Sequence, residues 1–334
     1  MYLDECDLDG IDGVSIAPFV RNAPEEEWVG AAEEQKIPSG LFDLYRRANF
    51  LSFGGAPRFL SDGENVLFSY FGLVLRSIQE SLVDAHDQVD LFAAAHKLVY
   101  DPMKKFRGEP FEKGAAKREV RHFRDLLIAL QTALDALADL IGIFFPAEIR
   151  GLEVGRAQFS KIERWLEKSF PQKGLIVSPS EFHLKKLHDT LVPLIRASHP
   201  ERDWLPLMRL LRNKAAHLGS PLFRQVGLHR AVDGKMFAFI PREWPYLWES
   251  LIRSSNEKQP AFDLPDQLRN SLIHQDIESY SRGLLAKVQN VTAAALSGLN
   301  DAYDQFKDLP ENYKALIQLK NNFEKYEFEN FLDA

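Results

Sequence analysis

Arg212-Asn213-Lys214-Ala215-Ala216-His217 brings together side chains able to work on a phosphodiester. At about 100° per residue, a helix places Trp204, Leu207, Met208, Leu211, Ala215 and Leu218 on one broad apolar face. Arg209, Arg212, Asn213, Ala216 and His217 fall on the other. Asn213 and His217 are four residues apart and sit one above the other. Arg212 lies about a quarter-turn aside, with an arm long enough to reach the same patch. A histidine near neutral pKa can take a proton from a ribose 2′-hydroxyl or give one to a leaving oxygen. A guanidinium can hold a phosphate by paired hydrogen bonds and stabilise the charge built up during in-line attack. Such a reaction needs no metal. The competing reading is a wet polar face on an amphipathic helix that stops at Gly219-Ser220-Pro221.

The spacing Arg212-Asn213-x-x-x-His217, in a Leu-Arg-Asn-Lys-x-x-His context, resembles the signature of the HEPN superfamily. These are all-α domains, many of them metal-independent endoribonucleases of toxin, phage-defence and CRISPR systems. The resemblance covers about residues 115–220. It implies that Arg212 and His217 are catalytic, with Asn213 the polar residue after the motif arginine. It also implies a homodimer in which two motifs form one composite site on RNA. Arg209 and Lys214 would add phosphate contacts. An antitoxin or other regulatory protein is a further expected partner, and no cofactor is expected. Some members of the superfamily are non-catalytic, so a helical scaffold or RNA-binding module stands as the alternative.

A second Arg-Asn-x-x-x-His occurs at Arg269, Asn270 and His274, after Asp266. There Leu272, Ile273, Ile277, Tyr280 and Leu284 draw the apolar face toward Arg269 and leave Asn270 and His274 at its edge. Coincidence, a true motif that displaces the first, and an internal composite of both are the three explanations. No wider self-similarity supports a duplicated domain.

The elements that must position these residues are helical. Val66, Phe68, Tyr70, Leu73, Val74, Ile78, Leu82 and Val89 predict a long helix from the Ser61-Asp-Gly-Glu64 cap to about Tyr100, with a loop near Asp101-Pro102. A second long helix is predicted from about Phe111 to Phe145. Its apolar run, Leu126 to Ile149, is interrupted by Gln131, Asp135 and Asp139, which marks a buried helix with one polar stripe rather than a membrane span. Shorter helices are expected over Gly155–Phe170 and about Pro179–Ser198, the latter containing Pro193. His183 and His188 read as surface or boundary residues. After Gly219 the period changes to two around Asp233-Gly234, predicting a β-hairpin. A last long helix is expected to end near Phe306.

The expected class is therefore all-α, a helical bundle with a small hairpin insertion. Its segments are an irregular arm (1–60), a HEPN-like bundle (61–220), a hairpin and linker (221–260), and a C-terminal helix with a tail (261–334). The boundaries fall at Ser61, Gly219 and Pro260.

The 334 residues, 45% hydrophobic and 27% charged, supply ample material for a core. A net charge of −7 argues against a protein that coats nucleic acid indiscriminately. The densest positive region is Lys104, Lys105, Arg107, Lys113, Lys117, Arg118, Arg121 and Arg124. Glu109, Glu112, Glu119 and Asp125 interleave with it, which favours a self-neutralised helix surface over a phosphate track. Cys6 is the one cysteine, which excludes an intramolecular disulfide and fits a reducing cytoplasm. No secretory signal is evident. The acidic stretch Asp4 to Asp12 fails as a calcium loop, because Glu5 would open it and Ile16 occupies the closing position. No Gly-x-Ser-x-Gly elbow, His-Glu-x-x-His or glycine-rich nucleotide fingerprint appears.

Overall fold

Glu25, Glu26 and Glu27 place three carboxylates at the positive end of a helix dipole, and the first helix of the computed structural model starts there. The structure describes residues 25–53, 62–104, 113–146, 148–167, 179–195, 204–205, 208–209, 211–212, 227–230, 236–239, 277–306 and 318. Its helices are α1 (Glu25–Glu33), α2 (Ser39–Phe53), α3 (Asp62–Lys104), α4 (Lys113–Phe144), α5 (Phe159–Leu166), α6 (Pro179–Ile195) and α7 (Ile277–Phe306). Residues 204, 205, 208, 209, 211 and 212 are also helical. Two short strands, β1 (Gly227–Arg230) and β2 (Met236–Phe239), pair antiparallel with Gly227 opposite Phe239 and Arg230 opposite Met236. The described residues are thus mostly helical. Ser61, Gly219, Asp233, Gly234 and Pro260, which mark the expected boundaries and turn, lie outside them.

The chain divides into two compact units. One contains residues 1–79, 135–188 and 293–334, and the other residues 80–134 and 189–292. Residues of α3, α4, α6 and α7 belong partly to each.

In the first unit, the irregular reading does not hold for residues 25–53. Trp28 is buried and stacks on Tyr45, with centroids 4.3 Å apart and planes 10° from parallel. Leu41 and Leu44 are fully buried. A covered aromatic pair and an aliphatic ridge make these short helices part of the core. Gln35, in the left-handed region at φ 56°, turns the chain between them, and the Lys36 amide donates back to the Ala31 carbonyl (2.9 Å). Asn300 Nδ2 on α7 donates to the Gly40 carbonyl (2.8 Å). A Cβ at Gly40 would lie 3.3 Å from that of Leu296, so the missing side chain lets α2 and α7 approach.

In the second unit α3 and α4 run antiparallel, because Phe92 meets Phe123 (5.8 Å) while His96 meets Glu119 (2.6 Å). Leu82 and Val89 of α3, Leu126, Leu127 and Leu130 of α4, and Leu284 and Val288 of α7 are all buried in this unit. The apolar run of α4 is largely covered by protein, as an interior helix requires.

Two helix ends and one side chain differ from expectation. α3 continues through Asp101 and Pro102 to Lys104. Proline's fixed φ suits a helix, and near the end its missing N–H costs a single bond. α5 starts at Phe159 rather than Gly155, because Gly155 sits at φ 87° in a turn. His188, expected near the surface, is buried edge-on to Trp165 at 5.1 Å. The imidazole there acts as a flat packing surface as well as a polar group.

Candidate functional site

The helical residues ahead of the motif arginine are anchored by their apolar side. Trp204, Leu205, Met208 and Leu211 are buried in the second unit, and Trp204 Nε1 donates to the Leu194 carbonyl (3.4 Å). Arg209 and Arg212 are half-buried at the rim of this face. Leu205 was missing from the face drawn on the sequence. Its burial widens the covered arc to the azimuth of Arg212, seven residues later, where a helix has turned almost twice. Arg212 therefore stands at the edge of the packed face, not opposite it. Asn213, Lys214 and His217, together with Arg269, Asn270 and His274 of the second motif, lie outside the described residues.

Two other polar constellations have the residue types of a catalytic site, and their geometry gives each a different job. The first is the stripe on α4. Asp139 Oδ1 accepts from the amides of Gly155 (2.9 Å) and Ala157 (3.2 Å), while its Oδ2 accepts from the Tyr70 hydroxyl (3.0 Å). One turn earlier, Asp135 Oδ1 accepts from the Phe159 amide (2.8 Å). Gln158, at the N-cap of α5, makes no side-chain cap bond, so Asp135 supplies from another helix what a local serine or aspartate would. Gln318 completes the hold, accepting from the Val154 amide (3.2 Å) and donating to the Pro146 carbonyl (2.8 Å). The two aspartates of the polar stripe visible in the sequence thus clamp the segment between α4 and α5.

Burial pushes the Asp139 carboxyl above the usual carboxylate range, against the lowering pull of the Tyr70 hydroxyl and the two amides. Burial, with the nearby Asp139 charge, also pushes the Tyr70 phenol far up, so it stays protonated and donates. Linkage gives the sign. The folded state holds the Asp139 proton more tightly than the unfolded chain, so this residue's contribution to stability grows on acidification. It is lost as pH rises through the folded-state pKa. The stability of wild type minus that of Asp139→Asn is therefore expected to increase between pH 7 and pH 4 in urea titrations. A difference that shrinks over that range would contradict the assignment. At pH 7 Asp139→Ala, which strips three donors of their acceptor, is expected to cost about 3 kcal/mol.

The second constellation is His96 and Glu119. His96 Nδ1 donates to Glu119 Oε1 at 2.6 Å, and both side chains are almost wholly buried. Phe92 stacks on the imidazole at 5.7 Å and 11°. A sealed pair of this kind has no path for substrate, and it joins α3 to α4 instead. Around it, His122 Nδ1 donates to Gln88 Oε1 (2.9 Å), and Gln289 Nε2 donates to His86 Nε2 (2.7 Å). Histidine–glutamine bonds thus connect α3 to both α4 and α7.

Glu119 corrects the sequence reading of the basic cluster. It is 2% exposed and turned inward, so it neutralises nothing on the surface. Asp125 remains, bound by Arg124 (2.8 Å) and approached by Arg121 (3.6 Å). Glu109 and Glu112 lie outside the described residues. On a helical wheel Glu119 falls in line with Ala115, Phe123 and Leu126, so its inward direction is legible in the sequence; its partner, 23 residues away, is not.

Comparison with protein-family models, with curated proteins and with solved structures gives no match to this chain.

Proposed function

We propose that this protein is a metal-independent endoribonuclease resembling the HEPN type, working as a cytoplasmic homodimer in a toxin or phage-defence setting. The observation that carries the reading is the Arg212-Asn213-x-x-x-His217 pattern entering from a helix whose apolar side is anchored and whose arginines stand at the rim. The substrate's 2′-hydroxyl attacks the adjacent phosphorus and the 5′-oxygen leaves. The products are a 2′,3′-cyclic phosphate and a free 5′-hydroxyl. His217 moves the proton between these oxygens, and Arg212 holds the phosphate and the charge of the transition state. Asn213 orients the ribose or either partner, while Arg209 and Lys214 add phosphate contacts. The hairpin inserted after the motif helix lids the bundle or extends toward RNA, and an antitoxin or regulatory protein restrains the activity.

The alternative is a non-catalytic helical scaffold or RNA-binding module. It is favoured by the half-burial of Arg212 beside Leu205, which suits a stem packed for structure. Incubation with RNA in excess chelator separates the two readings. Cleavage by the wild type, lost in His217→Ala and Arg212→Ala, supports the enzyme. Absence of cleavage by the wild type supports the scaffold. His274→Ala in the same assay assigns the second motif: unchanged cleavage makes Arg269, Asn270 and His274 coincidental, and loss makes them part of the site.

A further inference from the structure

The outer face of α4 carries Lys117, Arg121 and Arg124 in successive turns, about 6 Å and then about 4.5 Å apart along the axis. Lys117 is exposed, Arg121 is 72% exposed and Arg124 is 30% exposed. Arg118 is exposed on the flank. Glu119 is withdrawn into its bond with His96, which leaves Asp125 as the sole outward carboxylate among the described side chains of this stretch. Asp125 is engaged by Arg121 and Arg124, so it steadies two cations while cancelling one. The contacts His96–Glu119 and Phe92–Phe123 set residues 91–98 of α3 against residues 117–124. That length of α3 contains no acid and exposes Lys97, Leu91 and Leu98; Asp87 and Asp90, just before it, are exposed, and Arg282 approaches Asp90 at 3.4 Å. On a chain of net charge −7, this is a local reversal of sign.

We propose that the Lys117–Arg121–Arg124 ridge is a phosphate-backbone surface that holds single-stranded RNA. The choice of RNA as the polyanion rests on the ribonuclease reading. Cations in a row along a rigid helix track a backbone and release its counterions. An anionic membrane is a poorer fit, since a helix lying on lipid must turn its own apolar side outward. Here Leu126, Leu127 and Leu130 of α4 are fully buried in protein, and Ile128, at 38% exposure, is a single apolar side chain turned outward beside the cations, too little to seat the helix in lipid.

The test uses the full chain and a fluorescein-labelled single-stranded 2′-O-methyl RNA, which lacks the attacking hydroxyl and is bound without being cut. Affinity is measured by anisotropy across a salt series for wild type, a Lys117→Gln/Arg121→Gln/Arg124→Gln variant and a Lys117→Arg/Arg121→Lys/Arg124→Lys variant. Loss of three phosphate contacts is expected to flatten the log–log salt slope by about 2. Over a fourfold rise in salt, the wild type then loses about twentyfold more affinity than the glutamine variant. The charge-preserving variant is expected to keep the wild-type slope, which separates charge from packing. Equal slopes and affinities in wild type and glutamine variant would overturn the inference, as would a wild type that binds no RNA. Ridge-dependent binding to phosphatidylserine vesicles without RNA binding would also overturn it, by assigning the surface to lipid. Cleavage of unmodified RNA is scored separately. Ridge-dependent binding without cleavage keeps the inference and ends the catalytic reading. Cleavage with ridge-independent binding does the reverse.

Discussion

His217→Ala is expected to lower the rate of RNA cleavage by about 10²- to 10⁴-fold, the usual contribution of a positioned general acid–base. Attack by the 2′-oxygen requires its proton to leave as the bond to phosphorus forms, and expulsion of the 5′-oxygen requires a proton to arrive. One imidazole serves either step, so its loss slows the reaction whichever limits. Arg212→Ala is expected to act at the same step through charge. Arg212→Lys recovers little of it, because an ammonium cannot reproduce the paired hydrogen bonds of a planar guanidinium. Single-turnover cleavage in excess chelator measures both, with circular dichroism checking that the helices persist. A His217→Ala rate within threefold of wild type would remove this histidine from the mechanism. If the two sites of a dimer are composite, mixing His217→Ala with Arg212→Ala protein is expected to restore part of the activity through hybrid dimers.

The second large effect concerns stability. Glu119→Ala is expected to cost about 3–5 kcal/mol, because it strips a buried imidazole of its partner. His96→Leu combined with Glu119→Leu is expected to stay within about 1 kcal/mol of wild type, since apolar side chains of similar volume need no partner. Both side chains lie below 7% exposure, so water offers little replacement for the lost carboxylate. Urea unfolding of the single and double variants gives the comparison directly. If the double variant is as unstable as the single, the energy resides in packing around Phe92 and not in the hydrogen bond.

The span of α3 and α4 was legible in advance because apolar residues at helical spacing over forty-three and thirty-two positions leave no other periodic solution. The same logic placed α6 and the end of α7, and put Trp204, Met208 and Leu211 on one face. The stripe of Gln131, Asp135 and Asp139 was visible as an interruption in an apolar run. The task of its two aspartates was not, because the amides of Gly155, Ala157 and Phe159 belong to a loop and helix start that the aspartates themselves hold in place. Leu205 was left off the apolar face and His188 was read as a surface or boundary residue for a related reason: one helix seen alone does not show how wide an arc its neighbours cover.

By itself the chain of residues determined the helical class, the long elements and the spacing of the Arg-Asn-x-x-x-His motif. Each of these follows from interactions within a few turns of one helix, which contiguous residues carry wherever they are placed. The tertiary structure alone decided that Glu119 is paired with His96 and that Asp139 serves Tyr70 and the loop before α5. Those pairs are 23 and 69 residues apart, and a carboxylate looks the same in sequence whether it meets water, an imidazole or a backbone amide. Burial and partner set its chemistry, and both come into being only when the helices pack.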